Sequence, residues 1–433
     1  MGEGLGRGAF LLREMPEKPV SEIPMLPGFE AKAERISFTP TREAGRDRLD
    51  QFVGRAGRHY AGQRNYDFGP DNRSNVSALS PWIRHRLVTE EEVLRAILAR
   101  HAPSAAEKFI QEVFWRTYFK GWLEQHPTVW TAYQKGLTRA LEEMEANLAM
   151  ASSYRSAVTG ATGIDGFDQW SRELVETGYL HNHSRMWFAS VWIFTLRLPW
   201  ELGADFFLRH LMDGDPASNT LSWRWVGGLH TKGKTYQARA ANISKYTDGR
   251  YRPVHKLSNS TDPLQEDFEH PRVAIPRAEH IPANDFILLV TEEDTRVEEL
   301  LARAPAATFG VLATQKRSPL PLGANARDFA HGAVADALSR DGSDQSVLDK
   351  NWVEKLISKA QFAGVTSVVT PYAPIGPVQS LLAEAKLEIE NAGLTLHQIR
   401  RDYDNLAWPH ATKGFFALKK KIPRILSGLG LGG

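Results

Sequence analysis

Cysteine is absent from the 433 residues. That excludes disulfides, thiolate nucleophiles, iron–sulfur clusters and cysteine zinc sites together. Long apolar runs are absent too; none reaches the ~18 residues needed to span a bilayer. The opening stretch MGEGLGRGAFLLREMPEKP has only a four-residue apolar patch before its charges, short of the apolar core of a secretory signal. A cytoplasmic chain without membrane contact is expected. Neither sign of charge dominates, the formal net charge being +2. Such a balance neither demands nor forbids nucleic acid, because phosphate binding needs only a local basic patch. The length suits two domains, each able to bury its own core.

What is present is tryptophan, unevenly. Ten of the twelve lie between Trp82 and Trp225. Large aromatics serve first as core, yet their confinement to one half suggests a domain with a particular need for indoles. Residues 1–45 are punctuated by Pro and Gly and read as an arm. From Gly45 the pattern turns helical, with Leu49, Phe52 and Val53 on one face. Thr89 before three glutamates is a good N-cap. Helical stretches follow at 105–125, 136–150, 166–178, 183–197 and 202–212, giving a mostly α domain over 46–262. Residues 250–280 are rich in Pro, Ser, Asn, Asp and His, and 263–280 is read as a linker. Over 281–425 the runs FILLVT (286–291), TFGVLAT (308–314), VTSVVT (365–370) and LTLHQI (394–399) have strand character. Helical segments at 295–303, 327–339, 347–360 and 377–391 alternate with them. A smaller doubly wound, Rossmann-like α/β domain with a mainly parallel sheet is expected. The tail SGLGLGG reads as frayed.

Two short patterns invite over-reading. Gly228 to Thr235, GLHTKGKT, satisfies the phosphate-binding pattern G-x-x-x-x-G-K-[ST]. That loop must leave a buried strand and open a helix, whereas here it follows SWRWVG within a helical region. His181 and His183 lie two apart, so on a helix they face different ways, and no carboxylate stands at ligand spacing; no metal is expected.

The informative stretch is 162–225. It sets Asn182, Arg185, Asp213, Asp215 and Asn219 among apolar helices that also carry Trp187, Trp192, Trp200, Trp223 and Trp225. Polar groups in so apolar a setting need partners. They either satisfy one another, through an Arg185–Asp213 pair and helix caps, or face a planar polar ligand.

The motifs TG-x4-D, TGYLHNHSRM, W-x-x-G-x-x-x-F and DGDPASN-x-x-x-WRW, in this order within 162–225, resemble the FAD-binding domain of the photolyase/cryptochrome superfamily. Upstream, Tyr60-x-x-x-Arg64-Asn65, VSALSPW (76–82) and EVFWR (112–116) are similar to further family segments. The resemblance covers most of 46–245 and implies FAD as cofactor. It implies that Ser77, Ala78, Leu79 and Ser80 form the turn for the FAD phosphates, with Tyr60 on the phosphate side. It implies that Arg116, Asn182, Arg185, Asp213 and Asp215 line the cofactor and that Asn219 faces flavin N5. An amide offers both a donor and an acceptor there. Trp223 and Trp200 match the first two members of the family's electron-relay tryptophans. A third is missing near Asn147; either Tyr154, Trp122 or Trp130 substitutes, or the relay is truncated.

The family divides into repair enzymes and light receptors. Glu112, Trp115, Asn182, Met186 and Trp225 match positions that contact the flipped lesion in cyclobutane pyrimidine dimer photolyases. Glu112 there would stabilise the dimer radical anion if protonated. The paired histidines of the (6-4) photolyases are replaced by Asn182 and Met186. Arg116, His183 (in an arginine position) and Arg239 match DNA contacts, with Lys232 and Lys234 nearby. The resemblance therefore implies light-driven repair of dimer-containing DNA by a monomer, or a cryptochrome-like blue-light receptor without repair. Ordinary photolyases place an α/β antenna domain before the FAD domain. Here the similar segment, 372–423, comes after it, a circularly permuted arrangement that leaves room for a second, unidentified antenna chromophore. The run Lys419–Lys421 reads as a solvated face.

Overall fold

The computed structural model describes residues 35–340, 342, 347–348 and 350–432. Most of the N-terminal arm therefore lies outside the described residues. Helices fill the chain from Arg42 to Tyr246: α1 (Arg42–Val53), α2 (Arg58–Gln63), α3 (Ser80–Arg84), α4 (Glu90–Leu98), α5 (Glu107–Gln125), α6 (Thr128–Ala146), α7 (Leu148–Thr159), α8 (Phe167–Thr177), α9 (Asn182–Ser190), α10 (Trp200–His210), α11 (Pro216–Val226) and α12 (Ala240–Tyr246). Local chemistry sets several ends. Thr89 and Glu92 form a reciprocal capping box at the start of α4. Gly160 and Gly178 close α7 and α8 in the left-handed conformation. The helix expected over 136–150 is broken, because the Asn147 side chain accepts from Met150 N–H and starts α7 anew. The first helix begins at Arg42 rather than Gly45, since Thr41 caps it.

The strands are β1 (Phe286–Thr291), β2 (Ala307–Val311), β3 (Val347–Leu348), β4 (Ser367–Pro371) and β5 (Thr395–Ile399). They pair in parallel in the order β3-β2-β1-β4-β5, with Leu288 opposite Thr308 and Ile287 opposite Val368. Alternate β1 residues feed opposite faces, as the two-residue period requires. Phe286, Leu288 and Val290 pack with Val334 and Leu338 of α13 (Ala324–Arg340). Ile287 and Leu289 share a core with Leu356 of α14 (Trp352–Ala363) and Leu382 of α15 (Pro377–Asn391). The helix expected over 295–303 is only a 3-10 turn, Val297–Leu300. The start of that expected at 347–360 is strand β3, too short for a two-residue period to be read.

After β5 the chain returns to the helical core. Tyr403, Phe415, Leu418, Ile425 and Leu426, on α16 (Asp402–Ala407), α17 (Phe415–Lys419) and α18 (Ile422–Gly428), share one core with Leu49, Phe52 and Phe114. The tail is therefore held: it is helical to Gly428, and Leu431 N–H donates to Leu426 O at 2.8 Å.

The sheet meets the helices end-on. Glu293, just past β1, pairs with Arg84 at 2.6 Å and with Lys120 of α5 at 3.4 Å. Asp294 pairs with Arg86 and Arg401, and Glu292 with Arg317. Past β4, Tyr372 Oη and Ile375 N–H both donate to Glu124 of α5 at 2.6 Å. Ligands of doubly wound sheets sit where the strand order reverses. Here that point, between the carboxyl ends of β1 and β4, is filled by α5 and a buried seam of ion pairs.

Candidate functional site

One cavity of about 440 Å³ opens among α2, α3, α5, α9, α10 and α11. Its walls include Tyr60, Ser77, Ser80, Glu112, Trp115, Arg116, Asn182, Arg185, Met186, Asp213, Asp215, Asn219, Trp223 and Trp225. Sequence reading missed Ile83, Phe109, Val113, Phe119, Ala189, Phe207, Leu211, Ser218, Ser222 and Val226, which complete the lining. Apart from Ser218 and Ser222, these are apolar positions with no chemistry of their own to announce them.

The polar wall is organised by α9 and α11. Arg185 grips Asp213 with two hydrogen bonds, at 3.0 and 2.8 Å, and its Nε donates to Leu180 O. Asp215 caps α11, accepting from Ser218 N–H at 2.8 Å on one oxygen and from Arg116 at 3.0 Å on the other. Burial opposes its ionisation, but Arg116, Lys120 and Arg84 outweigh that and hold the carboxyl well below its usual range. Asn219 donates one amide N–H to Ala204 O at 2.7 Å. Its oxygen and second N–H are left for the cavity, so the amide keeps both kinds of hydrogen bond.

On the opposite side, Ala78 adopts a left-handed φ of 51° and turns the chain into α3. Leu79 N–H points back to Ser77 Oγ at 3.4 Å, and Arg48 donates to Ser77 O at 2.8 Å. Ser77 and Ser80 face the cavity, whereas Ala78 and Leu79 are buried behind them. Burial, reinforced by Glu112, pushes the Tyr60 phenol well above its usual value, so it stays a neutral donor. Glu112 is ion-paired with Arg64, which belongs to the same short motif as Tyr60.

Of the remaining expected residues, His183, Arg239 and Trp200 lie outside the cavity. His183 turns inward, bonding Asn65 O at 3.0 Å and stacking on Trp187 with centroids 4.7 Å apart. Arg239 is exposed at the start of α12 and outside the cavity. Trp200 contacts Tyr133, 5.7 Å between centroids. Trp223 instead meets Trp192 edge-on at 6.2 Å, and Trp192 meets Tyr154 at 6.0 Å. Trp115 is stacked on Phe415 of α17, with centroids 3.8 Å and planes 11° apart. That contact joins residues 300 positions apart and leaves no local trace in sequence.

The donor set suits a flavin dinucleotide. Among the described residues, the buried atoms Trp223 Nε1, Ser218 Oγ and Arg116 Nε lack protein hydrogen-bond partners at the walls. Serines and arginine fit phosphates, the amide and carboxylates fit ring and ribityl edges, and indoles fit a planar ring. Buried polar atoms without partners are costly in a folded chain, which favours a ligand that completes them.

A helical cavity with this lining, joined to a parallel sheet, defines a flavin-type binding domain with an α/β companion. Residues 109–263 match the family model described as the FAD binding domain of DNA photolyase. The chain is 30% identical over 215 residues to a deoxyribodipyrimidine photo-lyase of Synechococcus sp., covering 48% of this chain and 43% of that protein. It is 31% identical over 170 residues to one of Streptomyces griseus, covering 39% and 36%. A cryptochrome DASH of Idiomarina loihiensis is 25% identical over 262 residues, covering 57% and 56%. Among solved structures, a bacterial class III photolyase from Agrobacterium tumefaciens matches 49% of this chain and 43% of that one, at 27% identity and a TM-score of 0.42. The chain thus spans less than half the length of the two photo-lyases it matches. Through its helical domain, it is similar to members of the photolyase/cryptochrome superfamily. Among the described residues, no helix is long and apolar enough to cross a membrane.

Proposed function

We propose that the chain binds FAD in this cavity and uses it to repair cyclobutane pyrimidine dimers in DNA under light. The observation that carries the reading is the sharing of one cavity by two sets of residues. Asn219, Asp213 with Arg185, Asp215 with Arg116, and Ser77 with Ser80 form the flavin set. Trp115, Trp225, Met186, Asn182 and Glu112 form the lesion set. Bound FAD supplies one-electron transfer under light, to the dimer and back, which opens the cyclobutane ring without net oxidation. The half-buried indoles of Trp115 and Trp225 form an apolar wall for stacked pyrimidines, while Asn182 hydrogen-bonds a base edge. Glu112, engaged by Arg64, acts with that guanidinium as a polar pair at the rim. In this reading the α/β part, expected over 281–425 but with α16–α18 packed into the helical core, corresponds to the antenna domain of ordinary photolyases in permuted order. A second chromophore would need a seat other than the β1–β4 crevice, which α5 fills.

The test is illumination of the reduced, FAD-loaded chain with a dimer-containing oligonucleotide. Thymines are restored in light and not in darkness. Unchanged dimers under strictly reducing conditions contradict repair.

A second reading, a cryptochrome-like receptor, is favoured by the inward turn of His183 and the position of Arg239 outside the cavity. It predicts light-driven flavin reduction without DNA, and no repair.

A further inference from the structure

Three indoles reach the cavity, and they are held in two different ways. Trp223 is buried and meets Trp192 and Phe207 edge-on, with planes 89° and 80° apart. Trp115 and Trp225 are only half-buried, and each has a ring laid flat behind it. Phe415 of α17 covers one face of Trp115, with centroids 3.8 Å and planes 11° apart. Tyr236 lies behind Trp225, with centroids 5.6 Å and planes 30° apart. Neither Phe415 nor Tyr236 lines the cavity itself.

The two backing rings come from segments that neither the flavin set nor the lesion set uses. Phe415 is delivered, buried, by the chain returning after β5. Tyr236 is delivered by the loop of the P-loop-like pattern. That loop turns at Gly228, at a left-handed φ of 82°, and runs back along the end of α11. A Cβ on Gly228 would lie 3.0 Å from Thr235 Cγ2, so only a glycine lets the loop close this tightly. Tyr236 N–H donates to Val226 O at 3.1 Å, and Thr235 Oγ1 lies 2.9 Å from Thr261 Oγ1. The ring behind Trp225 is therefore anchored through its own backbone.

We propose that Phe415 and Tyr236 are positioning residues: they fix the planes of Trp115 and Trp225 before substrate arrives, so that the dimer meets walls already in order. This rests on the repair reading above. A half-buried indole keeps its χ1 and χ2 rotamers open, and ordering it on binding weakens affinity. An offset-stacked ring holds the plane beforehand. The stretch GLHTKGKT, which imitates a phosphate loop in sequence, then serves to carry a ring to the back of Trp225. The returning chain does the same for Trp115, so the lesion wall is incomplete without the residues beyond the sheet.

The test labels the FAD-loaded chain with 5-fluorotryptophan and reads its fluorine resonances, those of Trp115 and Trp225 being assigned by Trp115→Phe and Trp225→Phe. Affinity is measured for a duplex with a dimer and for the same duplex undamaged. In Phe415→Leu, FAD is retained, the Trp115 resonance shifts and broadens, and that of Trp225 stays. Its affinity for the dimer duplex falls about tenfold, the effect of ordering one large side chain on binding. Its affinity for undamaged duplex, which does not enter the cavity, matches wild type. Tyr236→Leu acts likewise on Trp225 alone, and Tyr236→Phe, which keeps the ring, matches wild type throughout. Should Phe415→Leu not fold, the two Tyr236 variants decide. Wild-type affinity for the dimer duplex in either leucine variant, unmoved resonances, or an equal loss on undamaged duplex overturns the positioning role and leaves repair standing. A loss in Tyr236→Phe as large as in Tyr236→Leu overturns it too, by assigning the effect to the hydroxyl. A wild-type chain with no preference for the dimer duplex overturns repair, and the positioning role with it.

Discussion

Gly203 shows how tightly the cavity's back wall is drawn. A Cβ there would lie 2.3 Å from Trp223 Cη2 and 2.9 Å from Trp192 Cε2. Gly203→Ala should cost about 1–3 kcal/mol in urea unfolding by overpacking, and FAD affinity should fall because Trp223 lines the cavity; an unchanged midpoint would mean that α10 yields freely. The same contact bears on the relay. Ring contacts run from Trp223 to Trp192 to Tyr154, whose hydroxyl accepts from Arg209 at 3.1 Å. Trp192→Phe should therefore slow light-driven flavin reduction more than Trp200→Phe, measured by absorbance with an external thiol. The reverse ranking would restore the route through Trp200. Sequence made Trp223 legible because it sits in a long ordered motif. Trp192 was not legible as the neighbour of Trp223, because that contact is set by helix packing through Gly203.

At the scale of elements, α5 is the spine. One side carries the cavity-lining Trp115 and Phe119, and the other carries Lys120 and Glu124 toward the sheet. Lys120 is buried between Asp215 of the cavity and Glu293 of the sheet. Lys120→Met leaves two carboxylates without their shared cation, and breaking such a buried pair costs about 3–5 kcal/mol. Adding Glu293→Gln should recover part of that loss, as expected of residues in one network. Strictly additive losses in thermal unfolding would contradict the seam. Strands β1, β4 and β5 and helix α15 were legible within two residues, because apolar runs bounded by turn residues carry their own signal. Strand β3 and helices α16–α18 were not, because their faces are set by partners far along the chain.

For the whole molecule, acid is the revealing variable. Burial holds His181, His210 and His230 neutral in the fold, each with its pKa lowered to about 4. Between pH 6.5 and 4 the unfolded chain therefore binds more protons, and stability falls as pH drops through that window. Ion pairing overcomes burial at Asp294 and holds it at about 2, as Arg42 and the Thr89 cap do for Glu92, which extends the loss below pH 4. Burial pushes the Glu173 carboxyl up to about 7, which opposes the loss over the same window. One carboxyl against three histidines still leaves the melting temperature declining from pH 6.5 to pH 4.5; a flat profile would contradict the buried neutral histidines. The two-part architecture and its order were readable, since helical period gives way to short apolar runs near residue 286. The seam joining the parts was not, because Glu292, Glu293 and Asp294 read only as a polar strand end until Arg84, Arg86, Lys120, Arg317 and Arg401 are brought to them. The proposed function depends on the cavity holding FAD. The most direct test is titration of flavin-free chain with FAD, followed by flavin fluorescence, for wild type and for Arg185→Ala. Saturable binding of one FAD per chain, with affinity reduced in Arg185→Ala, is the predicted result. Absence of binding in a folded wild-type chain, or equal binding by both, would contradict it.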